Sequence, residues 1–526
     1  MIKHGTIAAH AAARPSDTAL VDLVAGHRVS WAQLSDLVAH TATGLTGLLT
    51  AQRGHRLRAA FLAENRWEIA VLQGAAATIG LPLVGVDDSL PVAHIATCLR
   101  QIQPAVLIVS AARWELANAA LELLAERTEL ATRPTLICLP DSVTTSGKAP
   151  ENRSDVVTWQ SLVDTPVDTA SWVTVPFEGL GFTSGTTGAP KLVLRSKSFE
   201  ARRQQDVTDF FGITPDDVYL NTVPLYHASG PGWAKIFLTH GATVVVVGQN
   251  DPASVLRALT TEGVTATLAV PPTLQALLDH IDAQPTVPPV ALRWVVTGGR
   301  HVSGGLIEQS RRLLGDVLHV YYGTTETGLN TLTVADELTT HPTTAGLPFP
   351  GNDIVILDEE NRPVPAETVG RVAIRSYMLA DGYAMAPAPM VDLDRGDSVW
   401  VTADSGRLDT GGRLHLTARD LPASARHVDV IGLESHLKAV LPVADTVVLT
   451  SHEQDGPRVC IAYTIDPTQP VTADEVAAAA AGFTAGVLTR VRQVPTVPYS
   501  PTGKVRVTNL RELMRSSRTE NAVATA

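Results

Sequence analysis

The sequence predicts an α/β fold, and three observations carry that prediction. Helix-type and strand-type apolar patterns alternate over most of the chain, the signature of parallel strands joined by helical crossovers. Glycines and small polar residues follow many of the apolar runs, at the strand ends where sheets of this kind gather ligands. The chain has 526 residues, too many for one ordinary core. Its pattern changes twice toward the C-terminus. The expected architecture is a large N-terminal domain, residues 1–419, made of two αβ-layered subdomains and a small β-rich one. A small mobile α+β lid domain, residues 420–515, follows, and then a disordered tail, 516–526.

The elements support this in order. Ser30 stands before the apolar-periodic Trp31-Ala32-Gln33-Leu34 and starts a helix as its cap. Ala59–Leu62 reads as a short buried strand, Trp67–Ala77 as a helix and Pro82–Val86 as the next strand. Val92–Ile102 is helical, and Ala105–Val109 is again a strand. Pro140–Ser171, rich in Pro, Ser, Thr and Asp, is a surface connection. A second run places strands at Val218–Thr222, Val244–Val247, Thr267–Val270, Trp294–Thr297 and Leu318–Tyr322. From Gly346 to Leu416 short strands and turn signals indicate the β-rich subdomain. Composition shifts again near Arg419-Asp420.

Bulk properties narrow the function. Forty-one basic against 53 acidic residues leave a net charge of −12, which disfavours a general nucleic-acid binder. Three scattered cysteines, Cys98, Cys138 and Cys460, make neither a metal spacing nor an even disulfide set. The first residues, Met1-Ile2-Lys3-His4-Gly5, lack the apolar core of a signal peptide, and no apolar run reaches bilayer length. A cytoplasmic protein without membrane partners is expected.

One stretch organises the chemistry: Thr183-Ser184-Gly185-Thr186-Thr187-Gly188-Ala189-Pro190-Lys191, with apolar residues on both sides. Strand, tight loop, strand is the natural reading. Such a loop turns backbone N–H groups, hydroxyls and one ammonium toward a single anion, and polyphosphate is the obvious guest. Spacing excludes two rivals. A Walker loop needs four residues between its glycines and Lys-Ser/Thr at its end. A hydrolase elbow needs Gly-x-Ser-x-Gly, and here the serine comes one place late. The stretch resembles the phosphate loop of the adenylate-forming superfamily, which contains acyl-CoA synthetases, nonribosomal-peptide adenylation domains and luciferases.

Further motifs of that superfamily follow in order. Tyr322-Gly323-Thr324-Thr325-Glu326 ends an apolar strand. A strand-end glycine brings backbone close to a ligand, and a glutamate there can hold Mg2+ beside phosphate oxygens. The stretch is similar to the family's Tyr-Gly-x-Thr-Glu motif. The resemblance implies Tyr322 beside adenine, Thr325 at the α-phosphate and Glu326 on magnesium. It places Gly323, Thr324 and Gly299 with the nucleotide. Val401-Thr402-Ala403-Asp404-Ser405-Gly406-Arg407 resembles a Thr-Gly-Asp-x-Gly-Arg stretch, so Asp404 is the candidate ribose ligand. Arg419 matches a ribose-contacting arginine. Pro498-Tyr499-Ser500-Pro501-Thr502-Gly503-Lys504 resembles the C-terminal lysine motif, which implies that Lys504 stabilises charge developing at the α-phosphate. His227, after Pro224-Leu225-Tyr226, matches the position at the acid pocket and is read as a gate; Gly298 belongs to the same pocket. Asp429 and Glu434 are read as surface charges.

The sequence departs from the family in two places. The family carries Arg-x-x-Asp-x-Ile-Lys-x-x-Gly after its domain boundary, where this chain has Arg419-Asp420-Leu421-Pro422-Ala423-Ser424-Ala425-Arg426. That hinge admits the pantetheine thiol, so the departure bears on thioester formation and not on adenylation. At the acid pocket Arg300-His301 follow Gly298-Gly299, and Lys235 follows His227, where small or apolar residues are usual. Two cations there suggest an anionic or polar substrate. The resemblance therefore implies an ATP- and Mg2+-dependent ligase that adenylates a small, aryl-type acid and passes it to the thiol of CoA. Three alternatives stand beside it. One loads a carrier-protein thiol, one adenylates nitrite and passes it to an aromatic amine, and one is a nucleotide-binding protein without catalysis.

Overall fold

The computed structural model describes residues 2–50, 57–140, 156–183, 190–249, 251–286, 289–393, 397–419, 428–453, 456–484, 487–500, 503–516 and 522–523. The chain divides into two compact units. The first comprises Met1–Val295 with Ala380–Pro387, and the second Val296–Leu379 with Ala388–Ala526.

In the first unit the predicted alternation becomes two mainly parallel sheets. One has five strands in the order Leu83–Gly85, Ala59–Leu62, Val106–Ser110, Thr135–Leu139 and Val156–Thr158, every neighbouring pair parallel. Ala59–Leu62 and Val106–Ser110 are buried along their whole length, as expected of parallel strands covered on both faces. The helices Val92–Ile102 and Trp114–Glu126 supply cover, packing Ile95, Leu99, Leu121 and Leu124 against Leu62, Leu107 and Val109. Another sheet orders Ala266–Leu268, Val218–Asn221, Thr243–Val246 and Thr18–Asp22 in parallel, with His27–Ser30 antiparallel at its edge. The cap read at Ser30 is present and reciprocal. Its Oγ accepts from Gln33 N, and its own N–H donates to Gln33 Oε1 at 2.8 Å, starting the helix Trp31–Thr50.

A four-stranded antiparallel sheet completes this unit, ordered Ala386–Pro387, Gly382–Tyr383, Leu192–Arg195, Gly179–Phe182. Its hairpin Gly179–Phe182/Leu192–Arg195 is the predicted strand–loop–strand. Thr183 N donates to Lys191 O at 3.0 Å and closes the base of the loop.

The second unit is richer in antiparallel β structure. Leu318–Thr324 and Gly328–Thr333 form a hairpin, with Leu347–Pro348 at its side. A five-stranded sheet contains Asn352–Leu357, Gly370–Ser376, Asp397–Leu408, Met390–Leu393 and Leu414–Arg419. The last hundred residues build a four-stranded sheet, Val443–Glu453, Gly456–Ile465, Leu488–Gln493 and Ala522–Val523. The helices Val430–Val440 and Ala473–Ala480 pack Leu433, Leu437 and Val476 onto Val459, Ile461 and Tyr463. On the tail, read as disordered, Ala522–Val523 pairs with Thr489 and Arg490.

Candidate active site

Within the second unit, four of the sequence-predicted residues come together. Tyr322 lies near the end of the strand Leu318–Thr324, and its hydroxyl donates to Asp404 Oδ2 at 2.7 Å. Asp404 is buried on the long strand Asp397–Leu408, directly opposite Arg419 in the antiparallel pairing. Arg419 Nε stands 3.8 Å from Asp404 Oδ1. Burial, then the Asp404 carboxylate, pushes the Tyr322 phenol well above its ordinary range, so it stays protonated and donates.

Lys504 joins this group. The turn that carries it is closed by Ser500 N donating to Lys504 O at 2.8 Å and by Lys504 N donating to Ser500 Oγ at 3.1 Å. Gly503, at φ +74°, supplies the left-handed residue such a turn needs. Its ammonium feels the charges of Arg419, Glu326 and Asp404. Burial first, then Arg419, pulls its pKa from 10.5 down to about 8, against the upward pull of the two carboxylates. Thr325 and Glu326 lie in the turn between Leu318–Thr324 and Gly328–Thr333, where Thr324 Oγ1 and Thr327 Oγ1 share a 2.9 Å hydrogen bond. Gly323 is needed at the pinch: a Cβ there would run into the Gly328 carbonyl.

These residues suit a nucleotide with a divalent ion. Asp404 offers acceptor lone pairs, Tyr322 an aromatic face, and Lys504 and Arg419 positive charge for phosphate. Among the described residues no three His, Cys, Asp or Glu side chains gather to hold a metal by themselves. Glu326 fits the single carboxylate that Mg2+ takes when phosphate oxygens supply the rest.

Other predicted residues stand on separate elements. In the first unit Thr183 and Lys191 flank the glycine loop, with Lys191 N donating to Thr183 Oγ1 at 3.3 Å and Lys191 Nζ 5.3 Å from the Tyr383 ring centre. Ser184, Gly185, Thr186, Thr187 and Gly188 lie outside the described residues, as does the unusual hinge from Asp420 to Arg426. His227 is half-buried, with Nδ1 2.8 Å from Ser229 Oγ. Gly298 ends the strand Trp294–Gly298, and Gly299 follows at φ +78°.

The two unusual cations have partners of their own. Lys235 Nζ makes a 3.0 Å ion pair with Glu200, whose pKa falls to about 2. Burial opposes that fall, and Arg203 and Lys235 outweigh it. Arg300 stacks on Tyr499, 4.5 Å from the ring centre. The sequence-based inference of an anionic substrate therefore loses its two free cations. Asp429 and Glu434 are not solvated surface charges either. Asp429 caps the helix Val430–Val440 through Gly432 N at 2.7 Å, and Glu434 accepts from Val448 N at 2.7 Å. Sequence reading missed them because both partners are backbone groups and one lies a strand away.

The profile of a family described as AMP-binding enzyme matches residues 7–384. The chain belongs to that family. This AMP-binding enzyme is 30% identical over 348 residues to a salicylyl-CoA synthase / salicylate adenylyltransferase from a Streptomyces species, covering 63% of this chain and 62% of that one. It is 27% identical over 415 residues to 4-coumarate–CoA ligase-like 4 of Oryza sativa subsp. japonica, covering 76% and 72%. The match thus spans less than two thirds of the Streptomyces relative's length. Among solved structures, ATP-bound MatB from Rhodopseudomonas palustris is similar at TM-score 0.79 and 19% identity, covering 98% of this chain and 99% of that one. Amide bond synthetase McbA from Marinactinospora thermotolerans is similar at TM-score 0.76 and 23% identity, covering 97% and 99%. At these identities the structural likeness shows the fold.

Proposed function

We propose that this AMP-binding enzyme is an ATP- and Mg2+-dependent ligase. It joins a small aryl-type acid to AMP, releases pyrophosphate and hands the acyl group to a thiol, CoA in the leading reading. The observation that carries the proposal is the buried Asp404 carboxylate between the Tyr322 hydroxyl and Arg419, with the Lys504 ammonium within reach of their charge and that of Glu326. An ammonium there neutralises charge that grows on the α-phosphate as the substrate carboxylate attacks, and it needs no rearrangement at that moment. Asp404, held by Tyr322, receives the ribose hydroxyls, with Arg419 at the same sugar. Thr325 donates to the α-phosphate. Thr183–Lys191 is the proposed phosphate-binding stretch, with the Lys191 ammonium as its positive charge. Magnesium, held by Glu326, would supply charge neutralisation across the phosphates.

His227 and Gly298 are the proposed surroundings of the acid; Lys235 and Arg300, expected there from the sequence, are not proposed as acid contacts, because Glu200 and Tyr499 engage them. We assign residues 420–515 as the lid domain that brings Lys504 in. The aryl acid is suggested by the salicylate-activating Streptomyces relative. A carrier-protein thiol is the near variant, because a fatty acid–[acyl-carrier-protein] ligase of Streptomyces coeruleorubidus is 27% identical over 350 residues. The nitrite-activating reading rests on the hinge sequence alone, since Lys235 and Arg300 are engaged elsewhere.

Pyrophosphate release over a panel of aryl and alkyl acids, with and without CoA, tests the proposal. Release elicited by an aryl acid, followed by CoA-dependent thioester, is the expected result. Release that requires nitrite and an arylamine and ignores CoA overturns it.

A further inference from the structure

The mechanism proposed above makes no use of a polar cluster beside the lysine turn. Arg300 and His301 leave the strand Trp294–Gly298 through Gly299. The Arg300 guanidinium lies over the Tyr499 ring, 4.5 Å from its centre. The Tyr499 hydroxyl donates to Asp445 Oδ2, and Lys438 Nζ donates to Asp445 Oδ1 at 2.7 Å. Glu434, on the same helix as Lys438, adds negative charge facing Arg300. His301 Nε2 is 2.7 Å from Ser435 Oγ, also on that helix. Burial, then Lys438 and Arg300, pushes His301 down to about 4, so this contact is made by a neutral ring at physiological pH.

Tyr499 and Lys504 belong to one closed turn. Tyr499 pairs with Val505 across it, and Ser500 and Lys504 exchange hydrogen bonds inside it. A group that grips the Tyr499 ring therefore also sets where the Lys504 ammonium points.

We propose that Arg300 is a positioning residue: by clamping Tyr499 it holds the lysine-bearing turn so that Lys504 stays beside Glu326, Asp404 and Arg419. His301 and Ser435 are a second strut of the same clamp. The consequence for catalysis rests on the ligase reading, but the clamp itself does not. Phosphoryl-type chemistry is sensitive to such placement, since a displacement of about 1 Å can lower the rate on the order of 100-fold.

The test compares wild type, Arg300→Gln, Tyr499→Leu and Tyr499→Phe. Trace acetylation of Lys504, followed by mass spectrometry across pH without any nucleotide, reports its apparent pKa. The charged groups facing Lys504, namely Arg419, Glu326 and Asp404, are untouched by these substitutions. Wild type should titrate near 8, whereas Arg300→Gln and Tyr499→Leu should move toward the free-lysine value of 10.5. Tyr499→Phe, which keeps the ring, should stay close to wild type. In pyrophosphate release, Arg300→Gln should lower kcat roughly 10- to 100-fold and leave the ATP KM within about twofold. Arg300→Gln with Tyr499→Leu should cost little more than either alone, since both remove one contact.

An unchanged Lys504 titration in both Arg300→Gln and Tyr499→Leu overturns the clamp even if the enzyme is an active ligase. A shifted titration in a protein that releases no pyrophosphate with any acid keeps the clamp and removes the ligase reading. Should Arg300→Gln fail to fold, the contrast between Tyr499→Leu and Tyr499→Phe decides.

Discussion

Lys504 is the residue on which the proposed chemistry turns, and its environment makes a pH prediction. Its pKa in the fold, about 8, lies below its ordinary 10.5. The charged form is the useful one, so kcat/KM for pyrophosphate release should fall as pH rises through about 8, a limb that reports the free enzyme. Stability runs the opposite way. Between those two values the unfolded chain binds more protons than the folded one, so this group's contribution rises with pH across the window. Lys504→Ala should reduce pyrophosphate release by at least about 100-fold while ATP binding, read by calorimetry, persists. Unchanged release would remove Lys504 from the mechanism. Tyr322→Phe keeps the aromatic face and deletes the hydroxyl bonded to Asp404. It should raise the ATP KM several-fold, in line with the loss of about 1 kcal/mol from one hydrogen bond. The same KM as wild type would show that Asp404 needs no such support.

At the scale of elements, the sheet of the first unit is pinned by one carboxylate. Asp217, just ahead of the strand Val218–Asn221, is buried. It accepts from Thr214 N at 2.8 Å, Thr265 Oγ1 at 2.7 Å and Arg293 Nη1 at 2.7 Å. Thr265 and Arg293 stand just before the strands Ala266–Leu268 and Trp294–Gly298, so a single side chain gathers the starts of these strands. Burial opposes ionisation of Asp217, but its hydrogen bonds and Arg293 outweigh burial and hold its pKa below the ordinary carboxylate value. Its stabilisation is therefore present at neutral pH and lost as pH falls through the acidic range. Asp217→Ala should cost about 3 kcal/mol by leaving a partly buried arginine and a hydroxyl without their acceptor, with a lower Tm. Because it sits at the opening end of the strands, it should leave kcat of the folded enzyme unchanged. A normal Tm would refute this role.

Element identity was legible beforehand for a local reason. The helix Val92–Ile102 shows its 3.6-residue period, the buried strand Val106–Ser110 its apolar run, and Ser30 its place before the apolar-periodic start of a helix. Each is encoded within a few residues. The fates of Arg300, Lys235 and Glu434 were not legible. Their partners Tyr499, Glu200 and Val448 are set by tertiary packing, and a charge carries no mark of what it will face.

For the molecule as a whole, membership of the AMP-binding enzymes rests on residues 7–384, and the fold is shared with adenylate-forming structures along nearly the full chain. The acid, the second nucleophile and the role of the unusual hinge are proposals that the acid panel separates. If adenylation proceeds but thioester yield stays low with free CoA and rises with a phosphopantetheinylated carrier, the carrier variant replaces the CoA reading.

By itself the sequence determined the α/β class and the order of the motifs, because periodicity, turn chemistry and motif spacing are properties of short stretches. Only the tertiary structure decided that Tyr322, Asp404 and Arg419 meet, with Lys504 within reach of their charge, and that Arg300 stacks on Tyr499. Those outcomes depend on which distant side chains burial brings together, and burial belongs to the folded chain.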